Sequence, residues 1–390
     1  MEILIFSSKS AYSGRPVGGA EYSLRLLAET LAGRGHSVVY LTRTGARLAR
    51  GRSRTIDGVK VMFLPRLRLP WGRVSTIRAI NLFLDFCALL LFFVGSRGRQ
   101  TEVVHTYATL PDTHSVLWAR RVLRSRFVAV QRLAGLFWYE QSKKDSRAKK
   151  RVEWTLSNVD CLNFISSGLE AMFDRIRAEE GFAVSPKARL TADIGVSPSL
   201  FEEDRRPAVR TVVMVARFID RAKRHDLVIR ALETEGLGDV TLHLAGEGPT
   251  RERWMQYCAD RPGLGSRIVF HGHLSRSAVK SLVSRSTLFC LATDYEGLSK
   301  AVIEAMALGT PICVSDVPPL NTYVRDGENG FLAENSVEGW SQRLSELMNS
   351  EQDLAHASAN GREFAKRFYD PEKQVLLYER LFERLCKNAG

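Results

Sequence analysis

The chain has 390 residues, 45% hydrophobic and 25% charged, an ordinary globular composition of about two domains that excludes a disordered or collagen-like polypeptide. Its six cysteines (Cys87, Cys161, Cys258, Cys290, Cys313, Cys386) stand far apart with no Cys-x-x-Cys pair, so they read as reduced, buried thiols rather than a disulfide or zinc framework. The net charge is +13, yet residues 1–200 carry +15 and residues 201–390 carry −2; this asymmetry points to an anionic partner for the first half, whether a membrane surface, a phosphorylated acceptor or nucleic acid.

Glu2 is acidic and Ile3-Leu4-Ile5-Phe6 is too short for a signal peptide, so no leader is expected and the chain reads as opening on a strand. Short β-branched runs predict strands at 2–7, 37–42, 59–64, 101–105, 127–131 and 161–165. A second series follows at 211–215, 240–245, 268–270, 287–291 and 311–314. Helical patterns lie between most of them. This α/β rhythm, met twice, predicts two Rossmann-like, doubly wound domains with parallel sheets. The Ser-, Pro- and charge-rich stretch 198–209 reads as the linker. The expected division is 1–200 with 371–390, and 201–370. Within the last helix, 372–386, Val375, Leu376, Tyr378, Leu381, Phe382 and Leu385 form one apolar face, which is expected to pack on the first domain.

The segment 79–94 is apolar apart from Asn81 and Asp85, with Arg66, Arg68, Arg73, Arg78, Arg97 and Arg99 flanking it. As a helix it reaches about 24 Å, short of a bilayer core of about 30 Å. It reads as a buried domain helix or as an in-plane helix on anionic lipid.

Three constellations carry chemistry. The first is Asp294-Tyr-Glu296-Gly297-Leu298-Ser299, which opens a helix containing Glu304 and ending at Gly309. A helix N-terminus offers free N–H groups to phosphate, and the order carboxylate, N–H donors, carboxylate suits sugar, diphosphate and ribose. Alone, the spacing fits a surface helix with two incidental glutamates equally well. The second is Arg217 with Lys223, after the strand 211–215, where ligands of open α/β sheets bind; two fixed cations there would stabilise a departing diphosphate. The alternative is a solvated basic loop. The third is Gly18-Gly19-Ala20-Glu21, a turn that lets backbone approach a ligand before a helix; it is not the Gly-x-Gly-x-x-Gly of dinucleotide binding. Gly246, in Leu242-His-Leu-Ala-Gly246-Glu-Gly-Pro249, ends a strand in a tight turn beside which a nucleobase could lie. His36 reads as structural.

Taken together and in order, Gly18-Gly19-Ala-Glu21, Gly35-His36, Asp160…Ser166, Ala216-Arg217…Lys223, Gly246-Glu-Gly-Pro249, Phe270-His-Gly272 and Glu296-Gly-Leu…Glu304-Ala-Met-Ala-Leu-Gly-Thr-Pro311 resemble the family 4 (group 1) retaining glycosyltransferases, which have the GT-B fold. The resemblance implies two Rossmann-like domains with an interdomain cleft, the last helix returning to the first. It also implies a nucleotide-diphospho-sugar as co-substrate, no metal and no other cofactor. Arg217 and Lys223 match the pair that binds the donor diphosphate. Glu296 matches the carboxylate at the donor sugar and Glu304 the one at the ribose. Gly297, Leu298 and Ser299 fall at the phosphates, with Gly18 and Gly19 approaching from the other domain.

The departures lie in the first half. Many members have a His where the strand here ends in Gln131, which hydrogen-bonds but does not titrate; His105 and His114 are the nearby candidates for acceptor contact. Asn-Gly before the linker is Ile194-Gly195, and Thr293 replaces a Ser. With the basic half, the reading is a cytoplasmic enzyme, peripheral on the inner membrane face, that glycosylates a lipid-linked, phosphorylated or saccharide acceptor in surface polysaccharide or glycolipid synthesis. No Asp-x-Asp of a metal-dependent transferase is present. A nucleotide-sugar 2-epimerase of the same architecture is the alternative. So is a non-catalytic membrane or nucleic-acid binder, though no base-stacking platform is visible.

Overall fold

The computed structural model describes residues 1–8, 10–13, 18–43, 53–64, 74–107, 110–203, 205, 207–219 and 222–389. Arg66, Arg68, Arg73 and the side chain of Arg78 lie outside the described residues. The chain divides into two units, Met1–Ile194 with Pro371–Gly390, and Gly195–Asp370.

In the first unit, strands β1 (Glu2–Ser7), β2 (Ser37–Arg43), β3 (Ser53–Ile56), β4 (Val59–Leu64), β5 (Val103–Tyr107), β6 (Val128–Leu133), β7 (Cys161–Phe164) and β8 (Arg189–Thr191) form one sheet in the order β3-β4-β2-β1-β5-β6-β7-β8. Every neighbouring pair is parallel except β3–β4. That hairpin turns on Asp57-Gly58, whose φ angles of 48° and 77° are those of a two-residue type I′ turn. The central strands are buried on both faces, as crossover helices on either side require.

The helix Pro371–Ala389 belongs to this unit. Val375, Tyr378, Leu381 and Phe382 enter the same core as Ile3, Leu27 and Val130. The Tyr378 hydroxyl donates to the Ala192 carbonyl at 2.9 Å, and Glu379 accepts from Arg34 at 2.7 Å and meets His36 Nε2 at 2.9 Å. His36 therefore fastens the last helix to the first one.

The apolar helix extends over Val74–Val94, five residues earlier than the sequence pattern indicated. Asp85 is buried within it and ion-paired with Arg43, Nε lying 3.1 Å from Oδ1. A buried carboxylate needs such a partner. That pair orients the inner face toward the sheet and leaves Phe83, Leu91 and Val94 outside. No helix among the described residues is long and apolar enough to cross a membrane.

The second unit holds β9 (Thr211–Val215), β10 (Thr241–Ala245), β11 (Ile268–Gly272), β12 (Leu288–Leu291), β13 (Ile312–Ser315) and β14 (Phe331–Ala333), all parallel, in the order β11-β10-β9-β12-β13-β14. The chain builds outward from β9 in one direction, then returns to β12 and builds outward in the other. The winding thus reverses between β9 and β12, and the carboxyl ends of these two strands flank the crevice where such sheets bind ligands. Gly195, with φ of 89°, enters this unit against the Tyr369 carbonyl, which a Cβ there would overlap. The glycine of the Ile194-Gly195 step is thereby required, and the residue before it is not.

Candidate functional site

Two loops meet at the reversal point: 216–219 with 222–224 after β9, and 292–299 after β12. They are zipped by backbone hydrogen bonds, Arg224 N to Ala292 O at 3.0 Å and Asp294 N to Ala222 O at 3.3 Å, with Lys223 and Thr293 paired as a bridge. Thr293 is fully buried. Its N–H donates to Ser315 Oγ at 2.9 Å, and its hydroxyl lies against the carbonyls of Ala222 and Tyr295. A threonine thus does there what serine's hydroxyl could do. Asp294 accepts from Arg224 at 3.0 Å and from Asn335 Nδ2 at 2.8 Å. Asn335 Oδ1 in turn accepts from Ser315 at 2.7 Å, so β13 and the segment after β14 brace the loop.

On this frame Lys223 and Glu296 form an ion pair, Nζ to Oε2, each side chain about one-fifth exposed. Arg217 points into solvent and has no ion-pair partner among the described residues. Gly297, Leu298 and Ser299 are buried as the loop turns into the helix Lys300–Ala307. The Ser299 side chain makes no capping hydrogen bond. Its carbonyl accepts the first intrahelical bond, from Ile303 N at 3.1 Å. The earlier N–H groups of that turn are the ones a phosphate would find. Lys300 is not part of this pool of charge, because its Nζ donates to the Gly195 carbonyl at 2.6 Å. One and a half turns along, Glu304 accepts from Arg276 at 2.8 Å. Among the described residues no group of three or more His, Cys, Asp or Glu side chains is placed to hold a metal ion.

Gly246 has a structural reason of its own. With φ of 148° it lies where a Cβ would overlap the Ala216 carbonyl, and its N–H donates to Gly272 O at 2.8 Å. The glycine lets the ends of β9 and β10 close up beside Arg217. His225, in the next helix, stacks on Phe218 with ring centroids 3.9 Å apart and an interplanar angle of 13°. Burial pushes its imidazole down to about 4. Spacing alone could not have disclosed Arg224, Arg276 or Asn335, since the partner of each lies on a different strand-to-helix unit.

In the first unit, Gly18 and Gly19 are exposed at the start of the helix Gly19–Gly33, and the Gly18 N–H donates to Glu21 Oε2 at 3.1 Å. The three acceptor candidates lie in different settings. Gln131 is fully buried; its Oε1 accepts from Thr106 and Thr113, and its Nε2 donates to the Arg132 carbonyl at 2.8 Å. His105 is fully buried on the opposite side of the sheet, its ring 6.2 Å from that of Tyr378 and 6.4 Å from that of Phe382. Neither side chain is open to solvent. His114 is half-buried with both ring nitrogens engaged, one 3.1 Å from Thr155 Oγ1 and the other accepting from Trp118 Nε1 at 2.9 Å. The three are not brought together. Beside Gln131 stands a residue that sequence reading passed over: Arg132, 1% exposed, ion-paired with Asp193 and donating to Ser23 Oγ at 2.7 Å.

Two family profiles match the chain, "Glycosyl transferase 4-like domain" over residues 18–184 and "Glycosyl transferases group 1" over 199–364. The 2-deoxystreptamine N-acetyl-D-glucosaminyltransferase of Streptomyces fradiae is 33% identical over 333 residues, 76% of this chain and 74% of that protein. The lipopolysaccharide core biosynthesis glycosyltransferase LpsE of Rhizobium meliloti is 26% identical over 144 residues, 36% of this chain and 41% of its own length. Several curated relatives are spanned over only about a third to two-fifths of their length. Among solved structures, sucrose-phosphate synthase of Thermosynechococcus elongatus superposes with a TM-score of 0.79 at 20% identity, covering 99% of both chains, which establishes a shared GT-B fold.

Proposed function

The chain belongs to the group 1 glycosyltransferase family, and from that premise we propose that it transfers a sugar from a nucleotide-diphospho-sugar to an acceptor with retention of anomeric configuration. The observation that carries this reading is the Lys223–Glu296 pair at the reversal point of the second sheet, with Arg217 free beside it and Glu304 farther along. Arg217 and Lys223 receive the diphosphate, and their charge is offered to the leaving group without a metal ion. The N-terminal turn of Lys300–Ala307 adds backbone donors at Gly297–Ser299. Lys223 exchanges its carboxylate partner for phosphate, which leaves Glu296 to hold the donor sugar. Glu304 takes the ribose hydroxyls.

The acceptor reading follows from charge and kinship. Residues 1–200 carry +15, and one relative is a glycosyltransferase of lipopolysaccharide core biosynthesis. A lipid-linked or otherwise anionic acceptor in surface polysaccharide or glycolipid synthesis fits both.

A thermal-shift screen of nucleoside diphosphates and their sugars tests the donor half. A ligand at a hundredfold excess over its Kd stabilises by about 2.7 kcal/mol, which is readily seen. NMR of the product's anomeric proton then tests retention. Conversion of the donor in the absence of any acceptor would instead identify an epimerase, and no shift with any nucleotide would overturn the reading.

A further inference from the structure

At the amino ends of β5 and β6, on the edge of the first sheet away from the loops that carry ligands, lies a pocket of about 550 Å³. Phe93, Val94, Leu123 and Phe127 line it, with Arg99 and Arg126 also at its walls. Glu102 belongs to it too, but that carboxylate is engaged, accepting from the Glu2 N–H at 2.8 Å.

Outside the pocket the surface is apolar in a pattern. On the helix Val74–Val94, Phe83, Leu91 and Val94 are 64%, 76% and 49% exposed. At 100° per residue they share one outward face. Trp118 and Val122, one turn apart on the packed helix Leu110–Leu123, are also exposed. Large exposed apolar side chains that share one helix face suit an interaction surface.

The exposed charge around them is mostly positive, with the carboxylate of Glu102 at the pocket wall. Arg97, Arg99, Arg121, Arg124 and Arg126 are exposed, and none is paired with a carboxylate among the described residues. Arg120, which turns inward on the same helix, is paired with Asp160. Arg120 is thus neutralised by a carboxylate, whereas the outward arginines keep their charge, Arg99 donating its Nε–H to the Val94 carbonyl at 2.8 Å. A helix with an apolar outer face and arginines at its end lies in the plane of an anionic bilayer. Asp85, clamped by Arg43 on the inner face, prevents the helix from rotating or inserting across it.

We propose that this surface is a docking site for anionic phospholipid, in which Phe83, Leu91 and Val94 enter the interfacial region while Arg99 and Arg126 hold a headgroup phosphate at the mouth of the pocket. The docking site deepens the membrane part of the reading above but stands apart from sugar transfer, because it needs neither donor nor acceptor.

The test is co-flotation of the full chain with vesicles of phosphatidylcholine alone or with about one-third phosphatidylglycerol, without nucleotide. The expected result is binding to the anionic vesicles only, lost at about 0.5 M salt, where charge is screened beyond a few ångströms. Arg99→Glu with Arg126→Glu should lower partitioning at least tenfold, and Leu91→Asp should do so on its own. All three side chains are exposed, so melting temperatures should stay close to the parent's; should the double variant unfold, Leu91→Asp and Arg97→Glu carry the test. Equal binding to neutral vesicles, or variants that bind anionic vesicles like the parent, would overturn the proposal. So would light scattering showing that Leu91→Asp splits a dimer with no change in vesicle binding, since the ridge would then belong to a second copy. Transfer activity on a soluble acceptor is scored separately, so either conclusion can fail without the other.

Discussion

The ammonium of Lys223 is ion-paired with the carboxylate of Glu296 across the two loops that leave β9 and β12. Donor binding has to undo this pair, because the proposed partner of Lys223 is a phosphate. Glu296→Gln should therefore leave affinity for a nucleoside diphosphate unchanged or a few-fold tighter, since Lys223 no longer has a competing anion. Transfer should fall by at least about a hundredfold, because the group proposed to hold the sugar is altered. Lys223→Met should weaken the nucleoside diphosphate by about tenfold or more. Calorimetry with the nucleotide, beside a transfer assay, separates the two. If both variants weaken the nucleotide alike, the division of labour between them is wrong.

Glu304 is held by Arg276, but that pair is on the surface and contributes at most about 1 kcal/mol to stability. Arg276→Ala should accordingly leave the melting temperature almost unchanged. Glu304→Ala should weaken a nucleotide and its sugar by the same factor, about tenfold, because both carry the ribose. Against a dideoxyribose nucleotide the loss should vanish, as expected when a mutation and a deleted ligand group remove the same contact. A loss that persists with the dideoxy nucleotide would place Glu304 elsewhere.

The central strands were legible because β-branched runs buried on both faces stand out between polar turns. The three strands that composition did not disclose, β3, β8 and β14, are all sheet edges. β3 is exposed along most of its length, while β8 and β14 have only three residues each, too few for a pattern. One signal for β3 was present: the Asp57-Gly58 pair of its hairpin. In the second unit the charged site residues were legible by their position after strands, whereas their partners were not. Lys223 meets Glu296 and Arg276 meets Glu304 from separate strand-to-helix units. In the first unit a strand buried throughout gives no alternation, so nothing told which way His105 and Gln131 pointed.

Arg132 and Asp193 form an ion pair in the interior, each side chain 1% exposed. Removing one partner strands the other charge without water. Asp193→Ala should therefore destabilise the first unit by about 3–5 kcal/mol, whereas Arg132→Met with Asp193→Leu should cost markedly less because no charge remains buried. Chemical denaturation of the single and double variants measures the difference. A double variant as unstable as Asp193→Ala would show that Ser23 and the surrounding packing, rather than the charge, set the cost.

Two buried histidines give stability a pH dependence of known direction. Burial first, then the nearby Arg132 charge, pushes His105 down to about 3. Burial likewise pushes His225 down to about 4. In the unfolded chain both titrate near 6.5. Above pH 6.5 both are neutral in either state, and their contribution is complete. As pH falls below 6.5 the unfolded chain takes up a proton at each site and the folded chain does not, so stability drops until about pH 4 for His225 and about pH 3 for His105, where each protonates in place. Each histidine contributes at most about 1.4 kcal/mol per pH unit across that window. The slope between pH 6.5 and 4.5 stands apart from most carboxylates, which titrate lower, and is shared with His114, His243 and His271, whose imidazoles burial also pushes down. Urea denaturation at several pH values should show this loss, and His225→Gln should flatten the slope for the second unit whatever it does to the stability at pH 7.5. An unchanged slope in that variant would mean that His225 titrates alike in the folded and the unfolded chain, against its burial and its stacking on Phe218.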